Sequence, residues 1–377
     1  MRPKICLNMI VKNEAHVIRR CLGSVGPIVD TWVIVDTGST DGTPGIIQEH
    51  LKGIPGTLIE RPWKNFGHNR TEALALARNS ADYVLIFDAD DVLVVPRDFT
   101  MPELTLDAYM LSIQLGSTSY WRTCVVSNRR AWRYVGVLHE YLACDGEYSP
   151  ERLTGLTIDA GVEGGRSRHV GAAEKYANDA RILEGALVDE PDNARYVFYL
   201  AQSYRDSGQW RKSLETYRRR ATMGGWDEEV WYSLLEIGKL SERLELPPAT
   251  VTERYLAAYQ HRPRRAEPLV ELARYYRERK QYALAHLFAQ RAINIPMPDD
   301  NLFLDVATYR WRAIDEFAVA SYWIGDYQRG QRACEKLLED AVLPVDQMAR
   351  VTENLNYCRE ALRKAGKSEN AVSLLGT

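Results

Sequence analysis

Apolar positions in residues 1–171 come in short dense runs, separated by stretches with helical spacing. The runs Ile5–Val11, Thr31–Val35, Thr57–Glu60 and Tyr83–Phe87 are rich in β-branched and aromatic residues. Between them, Glu14–Ser24, Thr43–Leu51 and His68–Ala77 place apolar residues at the period of a helix. Strand and helix alternating at this spacing predict a doubly wound, mostly parallel sheet with helices on both faces. Asp107–Leu115 and Ser119–Val126 read as two further strands, partly antiparallel. The sharpest run, YVLIFDADDV from Tyr83 to Val92, passes straight from apolar residues into Asp88, Asp90 and Asp91. An unbroken apolar run is the mark of a strand buried on both faces, and ligands bind beyond the carboxyl ends of such strands.

From about Ala172 the period changes to that of helices, and the pattern repeats. Leu200-Ala201 with Tyr204 recurs as Leu234-Leu235 with Gly238, as Leu272-Ala273 with Tyr276, and as Phe317-Ala318 with Ser321. A second set, Trp210, Ser213 and Tyr217, recurs as Tyr282, Ala285 and Ala289 and as Tyr327, Gly330 and Cys334. Small residues let paired helices approach while aromatics fill the gaps, so each unit buries its face only against its neighbour. Pro247-Pro248 and Pro296-Met297-Pro298 mark irregular connections. The expected division is an α/β domain over residues 1–171 and an all-α solenoid over 172–377. Trp226, Trp231, Trp311 and Trp323 suit either its core or an exposed binding face.

Composition narrows the classes. With 45% apolar and 26% charged residues in a chain of 377, the protein is of ordinary globular make-up. A net charge of -3 offers no footprint for nucleic acid. Six scattered cysteines form neither a C-x-x-C pair nor a disulfide framework, which fits a reducing, cytoplasmic setting. No apolar run is long enough to span a bilayer.

The candidate chemistry follows from the strand ends. Asp88 and Asp90 offer hard oxygen ligands one residue apart, suited to a divalent ion shared with a diphosphate. The alternative is a solvated acidic turn. Asp36 ends the second run and is followed by TGSTDGT, where an acid can meet a ribose or base edge or simply hold the turn. No G-x-G-x-x-G or G-x-x-x-x-G-K-[ST] follows a strand, so dinucleotide and P-loop sites lack their glycines.

Taken in order, Lys12-Asn13-Glu14, VIVDTGSTDGT, FGHNRTEAL and LIFDADD resemble a family 2 glycosyltransferase of the GT-A fold, and the repeats resemble tetratricopeptide units. The resemblance implies a nucleotide-sugar donor, commonly a UDP-sugar, with Mn2+ or Mg2+, and inversion at the anomeric carbon. By position it implies that Ile10, Lys12 and Glu14 line the nucleoside pocket, with Asp36 on the base or ribose and Arg70 near the base or phosphates. Asp88 would lean towards ribose and metal, Asp90 would bind the metal more directly, and His169 would complete its shell. Arg166 and Arg168, in a Gly-rich segment, would face the leaving diphosphate.

The segment Trp132–Glu140 resembles an acceptor-bordering motif, which makes Glu140 the first candidate general base, with Asp91 and His139 behind it. The absence of Q-x-x-R-W implies transfer of a single sugar rather than polymerisation. The helical repeats would bind the acceptor, whether peptide, protein or glycan, or would only brace the catalytic domain. Two rival readings are a sugar nucleotidyltransferase, whose glycine-rich basic loop is missing after the first run, and a non-catalytic tetratricopeptide scaffold.

Overall fold

The computed structural model describes residues 2–161, 171–340 and 342–374. The strands are β1 (Ile5–Val11), β2 (Thr31–Asp36), β3 (Gly56–Glu60), β4 (Tyr83–Ile86) and β5 (Val92–Val94), then β6 (Ala108–Leu115), β7 (Thr118–Ser127), β8 (Trp132–Val135), β9 (Tyr141–Cys144) and β10 (Glu151–Asp159). Helices α1 (Ile18–Val25), α2 (Thr43–His50) and α3 (Phe66–Leu76) fall between the early strands. The main sheet has the order β3-β2-β1-β4-β7-β6-β10-β5. Its first four strands are parallel, β7 is antiparallel to both β4 and β6, and β10 pairs with β6 in parallel. The chain leaves β1 towards β2 and β3 and returns on its other side as β4, so the strand order reverses at β1. That reversal opens a crevice beyond the carboxyl ends of β1 and β4.

Alternation along the strands builds a core on each side of this sheet. Leu7, Met9, Ile34, Leu85 and Phe87 pack with Ile18, Cys21, Leu22 and Val25 of α1 and Ile47 of α2. Cys6, Val33, Val84 and Ile86 point the other way, onto Leu74 of α3 and onto Trp132 and Leu142 of the β8–β9 hairpin. Asn8 breaks the apolar run but is satisfied, donating to the Val33 carbonyl at 3.0 Å and the Ala73 carbonyl at 2.9 Å. It ties α3 to the sheet.

Helices then follow without interruption: α4 (Ala172–Asp189), α5 (Ala194–Asp206) and α6 (Trp210–Thr222). They pack in sequence and belong to the same compact unit as the sheet, Met1–Met223 with Asn301–Phe303. Leu183 of α4 meets Tyr196, Leu200 and Tyr204 of α5, and Ser213 of α6 donates to the Ala201 carbonyl at 2.7 Å. The repeating small and aromatic positions are therefore the inter-helix contacts.

A second compact unit comprises Gly224–Asp300 with Leu304–Thr377. It holds α7 (Asp227–Arg243), α8 (Pro248–His261), α9 (Glu267–Glu278), α10 (Tyr282–Ala292), α11 (Ala313–Trp323), α12 (Tyr327–Glu339) and α13 (Val345–Leu374). A π-helical turn, Thr308–Arg312, leads into α11. Each helix packs on the next, as in a solenoid. Trp231, Leu235, Tyr255 and Leu272 join α7, α8 and α9, while Ala273, Ala289, Phe317 and Cys334 join α9 to α12. Trp231 is wholly buried beneath the Arg265 guanidinium, whereas Trp323 is 57% exposed. Among the described residues, no helix is long and apolar enough to cross a membrane.

Candidate functional site

Three loops converge beyond the carboxyl ends of the parallel strands. The loop after β1 is latched to the loop after β2: the Asn13 amide donates to Ser39 Oγ (2.9 Å), the Glu14 amide to Thr43 Oγ1 (2.8 Å) and the Ala15 amide to Asp41 Oδ2 (3.0 Å). Asn13 adopts a φ of 59° to make this turn, and its side chain accepts from the Thr40 amide at 2.8 Å. Lys12 is exposed at the lip, with Ile10 and Glu14 half-buried beside it. Asp36 is buried, and its carboxylate accepts from the Ser39 amide and, at 2.6 Å, from Ser39 Oγ. These bonds hold the turn after β2.

The third loop carries the acids. Phe87 still donates to the Asn8 carbonyl at 3.1 Å, which brings Asp88 level with the end of β1. Asp88 Oδ1 accepts from Arg70 Nη2 at 2.6 Å and Oδ2 from Arg122 Nη1 at 3.1 Å. Arg70 projects from α3. Arg122 comes from β7, which runs antiparallel to β4 and so passes over the strand's carboxyl end. Burial works to raise the Asp88 pKa, but the two guanidiniums outweigh it and hold the group well below the usual carboxylate range.

Asp91 lies deeper, only 5% exposed. Its Oδ1 accepts from the Gly161 amide at 3.0 Å and its Oδ2 faces Arg122 Nη2 at 3.4 Å. A side chain at Gly161 would place its Cβ 2.2 Å from the Asp90 carbonyl oxygen, so only glycine allows the end of β10 to close on the acid loop. Burial, then the Asp88 charge, push Asp91 up to about 7 despite Arg122. Between the unfolded value and that figure the folded protein binds more protons than the unfolded chain. Asp91 therefore lowers stability progressively as pH rises from about 4 to 7, and the full cost remains above pH 7. In metal-free protein, Asp91→Asn is expected to exceed the parent in unfolding free energy by about 2–4 kcal/mol at pH 8, and to lose that lead towards pH 4. Urea unfolding at pH 4, 6 and 8 measures this, and a difference that does not change with pH rules the ionisation out.

Glu140 reaches the same cluster from the β8–β9 loop. Its Oε1 is 3.2 Å from Arg70 Nε, with the side chain 10% exposed. The hairpin can lie this low on α3 because Gly67 has no side chain: a Cβ there would stand 3.0 Å from the Gly136 carbonyl oxygen. Thr71 Oγ1 accepts from the Tyr134 amide at 2.9 Å, and the Arg70 guanidinium lies 5.6 Å from the Tyr134 ring centre. His139, next to Glu140, stacks on Tyr199 of α5.

The structure thus brings together Arg70, Asp88, Asp91 and Glu140, with Asp90 and the Lys12–Glu14 loop at the same strand ends. Arg166, Arg168 and His169 lie outside the described residues. Arg122 escaped the sequence reading. Its signal was a lone cation inside the strand-like run TSYWRTCVV. For a cation, Asp88 and Asp90 supply only carboxylate oxygens, the ligand type hard divalent ions take together with substrate phosphates. Among the described residues, no group of three or more His, Cys, Asp or Glu is disposed to hold a metal by itself.

Residues 6–97 match the model of Glycosyl transferase family 2, a span from β1 past the acid loop. A TPR repeat-containing protein of Synechococcus elongatus is 28% identical over 311 residues, covering 77% of this chain and 75% of that protein. An uncharacterized glycosyltransferase of Rickettsia felis is 37% identical over 90 residues, 24% of this chain and 30% of that protein. The lipopolysaccharide core biosynthesis glycosyltransferase LpsC of Rhizobium meliloti is 33% identical over 107 residues, 28% of this chain and 38% of that protein. The chain thus spans well under half the length of these two transferases. Over residues 6–97 the chain is thus similar to family 2 glycosyltransferases, and the helical repeats that follow the sheet lie within the longer match to the TPR repeat-containing protein.

Proposed function

We propose that the protein transfers a single sugar from a nucleotide sugar, a UDP-sugar, to a peptide, protein or glycan acceptor with inversion. The observation that carries this reading is the convergence of the Lys12–Glu14 loop, Asp88, Asp90 and Glu140 at one end of the parallel strands. The nucleoside would lie along Ile10, Lys12 and Glu14 over the Asp36 turn. Asp88, its oxygens shared between Arg70 and Arg122, fixes the two guanidiniums near the diphosphate. Asp90 would be the direct ligand of Mn2+ or Mg2+, and the ion would neutralise charge on the leaving diphosphate.

On the acceptor side Glu140 takes the hydroxyl proton as the acceptor oxygen bonds to the anomeric carbon. The bond from that carbon to the diphosphate oxygen breaks on the opposite face. Arg166 and Arg168 would meet the diphosphate, and His169 would complete the shell of the ion. The helical repeats would hold the acceptor, since solenoids present extended surfaces.

Calorimetric titration of UDP tests the donor side. Mn2+ is expected to tighten UDP binding to the parent by at least about tenfold, or 1.4 kcal/mol. In Asp90→Ala that Mn2+ dependence is expected to vanish. Equal affinities with and without the ion in both proteins would remove Asp90 and the metal from the mechanism.

A further inference from the structure

We infer that the first helical hairpin is a working part of the transferase site: Arg195 and Tyr199 of α5 position the His139–Glu140 segment. The inference rests on Glu140 acting at that site, as proposed above.

All these residues belong to one compact unit. The β8–β9 loop is gripped by α5 on both sides of Glu140. Before it, Leu138 is buried among Ala180, Leu183, Tyr196 and Leu200. The His139 ring stacks on Tyr199 with 4.0 Å between centroids and 7° between planes. The His139 carbonyl accepts twice from one guanidinium, from Arg195 Nε at 3.1 Å and Nη2 at 2.9 Å. After Glu140, the Tyr141 ring lies 5.6 Å from the same guanidinium, which also covers Tyr199 at 4.9 Å.

His139 itself has a φ of 50°, a conformation disfavoured for a residue with a Cβ and kept only where its surroundings dictate it. Here α5 dictates it. The turn it creates aims Glu140 back towards α3, where Oε1 meets Arg70 Nε at 3.2 Å and Arg70 in turn holds Asp88. A loop free of α5 would relax from this turn, and the carboxylate would leave Arg70. Arg195 and Tyr199 act through the His139–Glu140 turn; they are positioning residues.

The test uses the full chain with Tyr199→Ala, Arg195→Met and the conservative Tyr199→Phe and Arg195→Lys. Amide hydrogen exchange is followed over residues 136–141, together with UDP affinity and hydrolysis of a panel of UDP-sugars in the presence of Mn2+. The first two variants are expected to exchange faster in this segment and to hydrolyse donor about 10- to 100-fold more slowly, because a small misplacement of a reacting group is enough for such a loss. UDP affinity stays at the parental value. Tyr199→Phe keeps the ring and restores both readouts. Arg195→Lys keeps the charge without the two-pronged bond and restores them only in part.

Parental exchange in the first two variants overturns the inference. So does faster exchange with undiminished hydrolysis, or a Tyr199→Phe protein as impaired as Tyr199→Ala. If the parent hydrolyses no UDP-sugar, the donor reading fails instead. The exchange data then decide alone: faster exchange supports the clamp and unchanged exchange removes it.

Discussion

Arg70→Met is expected to lower the free energy of unfolding by about 3 kcal/mol at neutral pH, the largest stability loss of any single substitution at the site. The reason is the charge that would be left behind. Arg70 Nη2 donates to Asp88 at 2.6 Å while its Nε lies 3.2 Å from Glu140, and neither carboxylate is more than a quarter exposed. Methionine fills much of the same volume beneath Tyr134 but pairs with nothing. Arg122 still faces Asp88, which keeps the loss towards the lower end of the range for broken buried pairs.

The pH dependence gives a second check on Arg70. The Asp88 pKa is depressed in the folded protein, so its contribution is present above the usual carboxylate range and fades as pH falls. The gap between parent and Arg70→Met should therefore narrow on acidification. Urea denaturation of metal-free protein at pH 7.5 and pH 3, the latter below the usual carboxylate value, measures both. A gap below about 1 kcal/mol at pH 7.5, no more than an exposed pair contributes, would show that the network is not held together by Arg70.

How much of this site was legible before the fold was known differs from residue to residue. Three of the parallel strands, β1, β2 and β4, are plain in the sequence because burial on both faces leaves a continuous apolar run, whereas β3, at the sheet edge and largely exposed, shows only Leu58 and Ile59. The acids after Phe87 followed directly from that reading. Helix α1 begins later than its periodicity suggests, at Ile18 rather than near Glu14. Residues 13–15 have periodic side chains but spend their amides on Ser39, Thr43 and Asp41, so they form a latch instead of a first turn. The Asp36 carboxylate, open in the sequence to a nucleoside or to its own turn, accepts from Ser39 only three residues on, the kind of local hydrogen bond these side chains make.

The contacts least visible were those between distant elements. Arg122 reaches Asp88 because of the antiparallel register of β7 on β4, which no periodicity in β7 reveals. Arg70 meets Glu140 because a hairpin lies down on α3, and the trace of that in the sequence is one glycine, Gly67. His139, by sequence a further candidate for the base, stacks on Tyr199 of a helix that belongs to the repeats rather than to the sheet. The repeat pattern itself was readable, since Ala201, Ala273, Ala318 and their partners are small wherever helices cross. Which tryptophans stay outside was not, because Trp231 and Trp323 look alike until the helices are stacked.

Glu140→Gln is expected to lower turnover by about 10²–10⁴-fold, the usual contribution of a positioned general base. Glutamine keeps the length and shape of the side chain, and its carbonyl oxygen can still face Arg70 Nε, so the hairpin stays on α3. What it loses is the ability to accept a proton from the acceptor hydroxyl. Binding of UDP with Mn2+ should be unchanged, because the donor-side groups Asp88, Asp90 and Lys12 are untouched. Initial rates of transfer, read beside a calorimetric UDP titration, separate the outcomes. Asp91→Asn provides the contrast: Asp91 is covered by Gly161 and Arg122 and faces the β10 end of the crevice, not the β8–β9 loop. Its replacement should leave the transfer rate within about tenfold of the parent, below the loss expected on removing a base. Full turnover in Glu140→Gln with a large fall in Asp91→Asn would move the base to Asp91. A fall in UDP affinity in Glu140→Gln would make Glu140 a prop for Arg70 and the donor site.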